Sequence, residues 1–343
     1  MQGNGAFMFL LCFFRVGALT NAEVGDPWKT HPWNKQNNIN NIGAKDSIAD
    51  DGLKATIHSM KNPELLKIQE QYVRRVIETV NDLDNVLYEI INEGGTNDWQ
   101  IYMTNFIREY EKGMPKQHMI GMTAGGTISY LNQQLYESNA DWISPAQQPK
   151  DWMFPGTVFL EDFMENPPVN TFGKVVLLDT DHLWGHGNWK WVWKSFTRGY
   201  NPIFMDPWQP LTSNPDKAKV DWMFVGGVNK DQRDFPDWAP VRTNMGYTAL
   251  LASRLDMKAL KPIPQKASTG YCLTDNSTTF VVYLPDGGDL TLDMTDVTGL
   301  FSVEWFLPIL NRTIITGQNF SGEGYRAFTA PFTGDAVLIL TKK

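Results

Sequence analysis

Two short stretches of the chain carry residue types that could do chemistry. Asn92-Glu93 closes the apolar run NVLYEIINE (85–93), and Asp179-Thr180-Asp181-His182 closes KVVLLDTDH (174–182). A carboxyl group at the mouth of a barrel can act as a general acid if burial raises its pKa, and an adjacent Asn can hydrogen-bond a substrate hydroxyl. Asp179 and Asp181 are two apart, so on an extended strand both point to one side. Glycoside hydrolysis needs two carboxyl groups flanking the bond, one as acid/base and one as nucleophile or base. Glu93 with Asp179 or Asp181 would supply that pair. Each feature also has a plainer reading. Two aspartates at a strand end can cap the next helix, and His182 can be a satisfied polar residue. Asp179, Asp181 and His182 could together ligate a metal, but no further His/Asp cluster completes a set, so neither a metal nor a cofactor is expected.

Other residues could hold a sugar. His31, Asn37 and Asn38 lie in HPWNKQNNINN (31–41), with Trp28 and Trp33 nearby. Such an Asn-rich loop can hydrogen-bond sugar hydroxyls or be a surface turn. Trp184, in LWGHGN, and Trp208, at the end of NPIFMDPW (201–208), are candidates for stacking on a sugar ring. Asp206 is equally a third site carboxylate or a turn residue before Pro207. Trp189 and Trp193 are four apart, share a helix face and suit a core, and His58 and His118 read as structural.

Strands followed by helices must position these groups. The apolar run 6–14, AFMFLLCFF, has no Lys or Arg before it, is too short to span a bilayer, and suits a buried parallel strand. Asn62-Pro63 caps a helix running to Val80. Strand 85–93, helix 98–113, strand 118–126, helix 128–138 and strand 141–148 follow. Then come a helix within 157–172, strand 174–182, helix 188–200, strand 201–208 and a closing helix over 245–262. Alternation of this kind means βαβ units and a parallel sheet, with polar residues gathered at the carboxyl ends of the strands. No Gly-x-Gly-x-x-Gly opens the first helix, so a dinucleotide fold has no support.

The texture changes after LKPIPQKAS (260–268). STTFVVYLP, GGDLTLDMT, GLFSVEWFLP and GDAVLILTK are short alternating runs split by Gly, Pro and Asp, the pattern of an antiparallel β-sandwich. The expected organisation is a (β/α) barrel domain over 1–262 and a small antiparallel β-sandwich over 265–343.

Composition agrees with a globular protein. The 343 residues are 42% hydrophobic and 20% charged, and 30 Lys+Arg against 38 Asp+Glu give a net charge of −8. That balance argues against a general nucleic-acid binder and against adsorption to anionic lipid. Thirteen Trp, 11 Tyr and 19 Phe fit either a large core or an aromatic-lined sugar cleft. Cys12 and Cys272 sit at opposite ends of the chain and form no zinc-type spacing. Asn276, Asn311 and Asn319 head N-x-[ST] sequons, which matter only in a eukaryotic secreted protein.

The run QEQYVRRVIETVNDLDNVLYEIINE resembles the helix and fourth strand of clan A glycoside hydrolases, where the strand ends in Asn-Glu with Glu as acid/base. NADWISP, LLDTDHLWG and WVWKSFTRGYNPIFMDPW resemble a bacterial group of apiosidase-like glycosidase barrels within that class. The tail from YCLTDNSTTFVVYLP to GDAVLIL resembles a β-sandwich family with a collagen-binding label that often follows such barrels; the label does not show collagen binding here. The resemblance covers roughly residues 28–343. It implies a (β/α)8 TIM-type barrel and a retaining glycoside hydrolase of plant or microbial polysaccharide, with Glu93 as acid/base and Asp179 or Asp181 as nucleophile. Asn92, His31, Asn37, Asn38, His182, Trp184, Asp206 and Trp208 would contact the carbohydrate. An extracellular or periplasmic location follows from the same resemblance, since polysaccharides lie outside the cell.

Two departures stand out. The clan's seventh strand ordinarily ends in Glu, whereas KVVLLDTDH offers Asp. If NVLYEIINE is strand four, only 6–14 precedes it, so the barrel has six strands, lacks its first two, and the chain reads as truncated at its amino terminus. A non-catalytic carbohydrate-binding protein is therefore the second expectation, and a metal-dependent hydrolase using Asp179, Asp181 and His182 the third.

Overall fold

The computed structural model describes residues 7–10, 31–42, 56–92, 95–123, 132–146, 162–180, 183, 187–204 and 239–343, with backbone only at 7–10, 56, 317 and 318. The chain divides into two compact units, Met1–Thr157 and Val158–Lys343.

The first unit is built on four parallel strands in chain order. These are β1 (Phe7–Leu10), β2 (Val86–Glu89), β3 (Met119–Thr123) and β4 (Trp142–Ser144). Phe7 aligns with Val86, Leu87 with Met119, and Gly121 with Trp142. Gly121 is required where it stands, because a Cβ there would lie 1.9 Å from the Trp142 ring. Helix α1 (Pro63–Val80) starts as expected: the Asn62 side chain accepts from the Leu65 N–H at 3.1 Å, with Pro63 in the first turn. Its Val73, Ile77 and Val80 pack with Val86, Tyr88 and Ile120, and with Trp99, Met103 and Ile107 of helix α2 (Asn97–Glu111). Helix α3 (Asn132–Glu137) precedes β4.

On the outer side of α2, Tyr102, Phe106 and Tyr110 stack along the helix, and the Arg74 guanidinium of α1 lies 5.0 Å from the Phe106 ring centre. Tyr102 and Tyr110 donate to Glu70 and Glu78 of α1 at 2.5 and 2.6 Å. These aromatics cement two helices; the cation already covers their faces.

A buried carboxylate ties the end of α2 to the starts of β2 and β3. Glu111 accepts from His118 Nδ1 at 2.7 Å, the His118 backbone N–H at 2.8 Å, Asn81 Nδ2 at 3.1 Å and the Tyr88 hydroxyl at 3.2 Å. His118 Nε2 lies 2.8 Å from the Leu83 carbonyl. Both ring nitrogens thus lie within hydrogen-bond distance of oxygen atoms, which fixes the ring in place. Burial and the Glu111 charge push the Tyr88 hydroxyl well above the usual phenol range. The structural reading of His118 holds.

The second unit begins with turns over 162–172, where the sequence led us to expect a helix. Pro167-Pro168 explains the difference, since proline has no N–H to donate to a helix interior. Two parallel strands follow, β5 (Val175–Asp179) and β6 (Asn201–Ile203), joined by helix α4 (Trp189–Thr197). Six parallel strands are therefore present among the described residues, at the six places the sequence indicated. Helix α5 (Ala239–Ala252) starts six residues before the expected helix and ends ten residues sooner. Its end dissolves into tight turns, with Arg254 N–H donating to the Leu251 carbonyl and Leu255 N–H to Ala252.

The rest is antiparallel. Strands β7 (Lys261–Pro262), β8 (Cys272–Thr274), β9 (Thr279–Leu284), β11 (Leu300–Leu307), β12 (Arg312–Ser321) and β14 (Ala336–Lys342) form one sheet in the order β12-β11-β14-β9-β8-β7. Strands β10 (Asp289–Asp293) and β13 (Tyr325–Thr329) form a second. Phe280, Val282, Leu338 and Leu340 pack on one face of the large sheet with Leu290 and Leu292 of β10. Val281, Tyr283, Val337 and Ile339 point the other way, against Trp193 and Phe196 of α4 and Leu251 of α5. Strands β12 and β13 were not singled out by sequence. Ile315 of β12 is largely exposed, and β13 is nowhere fully buried, so both lack the apolar alternation that marks a strand.

Among the described residues no helix is long and apolar enough to cross a membrane.

Three outcomes are expected. Glu111→Ala strips a buried pair of one partner and should destabilise the chain by about 3–5 kcal/mol in urea unfolding. Burial pushes the Cys272 thiol up to about 12, so a thiol reagent at neutral pH should label it only on unfolding. Burial also raises the Asp335 carboxyl above its usual 3.8, although Tyr283 donates to it at 2.9 Å and pulls the other way. The folded chain then holds that proton to higher pH than the unfolded chain, and stability from this group falls as pH rises through 3.8 to the raised value. Asp335→Asn should gain stability relative to wild type over that window, read by unfolding at a series of pH values.

Candidate functional site

The parallel strands place their carboxyl ends where the sequence gathers polar side chains. In the first unit, β2 runs on through Ile90 and Ile91, both fully buried, to the half-buried Asn92. The Thr123 hydroxyl, at the end of β3, donates to the Ile91 carbonyl at 2.8 Å. This bond pins the backbone one residue before Asn92 to the neighbouring strand. Thr123 and Ser144, at the ends of β3 and β4, are both buried.

The chain beyond position 94 is held just as firmly. Gly95 has φ +71°, and a Cβ there would meet the Trp99 ring at 2.9 Å. Thr96 N–H donates to the His58 carbonyl at 2.8 Å, and the His58 ring lies 5.0 Å from Trp99. The Trp99 indole donates to Gln69 at 3.0 Å, and Gln69 donates to the Ile57 carbonyl at 2.7 Å. Asn92 and Gly95, the described residues on either side of Glu93-Gly94, thus both join buried, hydrogen-bonded structure. His58, Gln69 and Trp99 were not marked as site residues by sequence. The one signal was Gly94-Gly95 directly after the Asn-Glu pair.

Glu93 itself lies outside the described residues, as do Asp181, His182, Trp184, Asp206 and Trp208. Asp179 is the last residue of β5 and half-buried. Thr180 is a buried turn residue whose N–H donates to Ile203, and Leu183 N–H donates back to the Asp179 carbonyl at 3.0 Å. The described strand ends at Asp179, and the expected alignment of Asp181 with Asp179 lies outside the described residues. Among the described residues no group of three His, Cys, Asp or Glu side chains could hold a metal ion.

The Asn-rich loop spends much of its polarity on itself. Asn37 Nδ2 donates to the His31 carbonyl at 3.0 Å, and Asn38 Nδ2 donates to the Pro32 carbonyl at 3.2 Å. Asn38 Oδ1 accepts from the Asn40 N–H at 3.0 Å, and His31 Nδ1 from the Trp33 N–H at 3.1 Å. Asn41 has φ 57°, a left-handed position that Asn tolerates. These bonds build a compact turn with His31 buried in it. The indole N–H of Trp33 is buried without an acceptor among the described residues.

No protein-family model matches the sequence, and no curated protein does. Solved structures do. One is a glycoside hydrolase family 5 protein from Bacteroides vulgatus ATCC 8482, with a TM-score of 0.50 at 13% identity over 80% of this chain. Another is described as a glycoside hydrolase, with a TM-score of 0.49 at 14% identity over 80% of this chain. The chain spans 66% of the length of the first and 69% of the second. The fold is a parallel α/β barrel, incomplete among the described residues and followed by antiparallel β-sheets, with distant structural similarity to glycoside hydrolases over about 80% of the chain.

Proposed function

We propose that this chain is a glycoside hydrolase that cleaves O-glycosidic bonds in plant or microbial polysaccharide. The observation that carries the reading is the position of Asn92-Glu93. Asn92 lies three residues past β2 on the carboxyl side of a parallel strand, and the described chain on either side of Glu93 is braced by Thr123 before it and by Gly95, His58 and Trp99 after it. In barrels of this architecture that face is where catalytic groups sit. Glu93 would protonate the leaving oxygen, and Asn92 would hold a substrate hydroxyl. Asp179, at the corresponding end of β5, or Asp181 would act as the nucleophile of a retaining mechanism. Trp184 and Trp208 would stack on sugar rings. His31, Asn37, Asn38, His182 and Asp206 would complete the substrate contacts. Residues 1–262 would form the catalytic domain and 265–343 an accessory one. An extracellular or periplasmic location fits a polymeric substrate.

A second reading, a carbohydrate-binding protein without turnover, draws on the count of six parallel strands among the described residues, where a closed barrel has eight.

The test is hydrolysis of a panel of aryl glycosides and plant polysaccharides by wild type and Glu93→Gln side by side. The expected result is turnover by wild type and a loss of about 10²–10⁴-fold in kcat in the variant. Turnover that survives in Glu93→Gln removes Glu93 from the chemistry. Binding without turnover in wild type establishes the second reading. Turnover lost on exhaustive chelation would instead place a metal in the site.

A further inference from the structure

A cleft of about 350 Å³ opens within the second unit between α5 and the outer end of the large antiparallel sheet. It shares no lining residue with the strand ends discussed above and has a two-part lining. Its floor is aromatic: the Phe306 ring lies 5.6 Å from Trp193 and 5.2 Å from Tyr247, which meets it edge to face. Its rim carries an ion pair, with Arg254 Nη2 of the turn after α5 bonded at 3.0 Å to Glu304 Oε1 of β11. Glu304 and Phe306 are two apart on β11 and so stand on the same face of the sheet.

Polar capacity remains unspent around this floor. Glu304 Oε2, the remaining guanidinium donors of Arg254, the Tyr247 hydroxyl and the Asn311 side chain have no partner among the described residues. Asn311 stands at the cleft in a left-handed conformation, φ 49°.

The chemistry of a fitting ligand follows. A guanidinium paired with a carboxylate is neutral overall, which favours neither an anion nor a cation. The carboxylate accepts and the guanidinium donates, side by side, which matches vicinal hydroxyl groups that can do both. The aromatic floor asks for an apolar face on the same molecule. The volume, near the lower end for small-molecule sites, suits a single ring rather than a long chain.

We infer that this cleft binds a neutral pyranose, as a site separate from Glu93. The sugar packs its C–H groups into the corner formed by the nearly perpendicular Phe306 and Tyr247 rings and sets two adjacent hydroxyls across the Arg254–Glu304 pair. The inference stands on the cleft's own residues, whatever becomes of catalysis at Glu93.

The test is calorimetric titration of D-glucose, D-xylose, D-mannose and D-galactose, with indole as an apolar control. The titrant meets the full chain carrying Glu93→Gln, so that turnover does not intervene. At least one pyranose should bind, and Tyr247→Ala and Arg254→Met should each weaken it by about tenfold or more, equivalent to about 1.4 kcal/mol. Methionine keeps the stem that packs on the surface while removing the donors. Tyr247→Phe and Glu304→Gln serve as second variants if the first pair unfolds, and should weaken binding less. Binding of none of the four sugars, binding of indole alone, or binding that both Tyr247→Ala and Arg254→Met leave unchanged would overturn the inference. A wild-type chain that hydrolyses nothing but binds a pyranose here would count against the proposed hydrolase alone.

Discussion

A sheet that carries apolar side chains on both faces has to be covered twice. In β9 and β14 successive residues are buried without a break, with Phe280, Val282 and Leu284 turned to one cluster and Val281 and Tyr283 to the other. One cover is the β10–β13 pair; the other is α4 with α5. Each buried aliphatic or aromatic side chain contributes about 1.5–3 kcal/mol relative to exposure, so neither face could stay wet. This requirement draws helices from the parallel part of the chain into the same compact unit as the antiparallel strands. It also explains why α4 carries Trp193 and Phe196 buried, and why Tyr283, which stacks on Trp193, is sealed there in a hydrogen bond to Asp335.

The first unit depends on a different constraint, a buried charge. Glu111 sits at the far end of α2 from the Asn92 turn and collects donors from the segments that begin β2 and β3. Charges taken out of water are tolerated only when fully bonded, and this one has four donors. It registers the amino ends of the strands, while Thr123, Gly95 and Trp99 fix the carboxyl ends. Asn92 thus lies at the carboxyl ends of the strands and the buried Glu111 at their amino ends; in barrels stability residues gather on the amino-terminal face, opposite the site.

Much of this was legible in the residues. The six parallel strands are short apolar runs bounded by turn residues, and a period of two or an unbroken buried run survives any change of partner. The N-cap of α1 was readable because Asn62-Pro63 acts locally, through one side-chain oxygen and one fixed φ. Where reading failed, a local pattern was weak or was outweighed. A helix was expected within 157–172, and over the described part, 162–172, the double proline leaves turns instead; α5 begins earlier and stops sooner than its apolar residues suggested, and β12 and β13 carry too little buried alternation to be seen.

The sequence by itself determined which residue types stand at strand ends, that the architecture is parallel α/β followed by antiparallel β, and which segments are apolar enough to need a core. Those properties depend on side-chain chemistry and on spacings of two to four residues, which the chain carries wherever it folds. Tertiary structure alone decided the partners. It brought Glu111 to His118, Asn81 and Tyr88, set Trp99 against Gly95 and His58, and joined Arg254 to Glu304 across the aromatic cleft. No period in the sequence encodes such pairs, because their members are brought together only when sheets and helices choose which faces to cover.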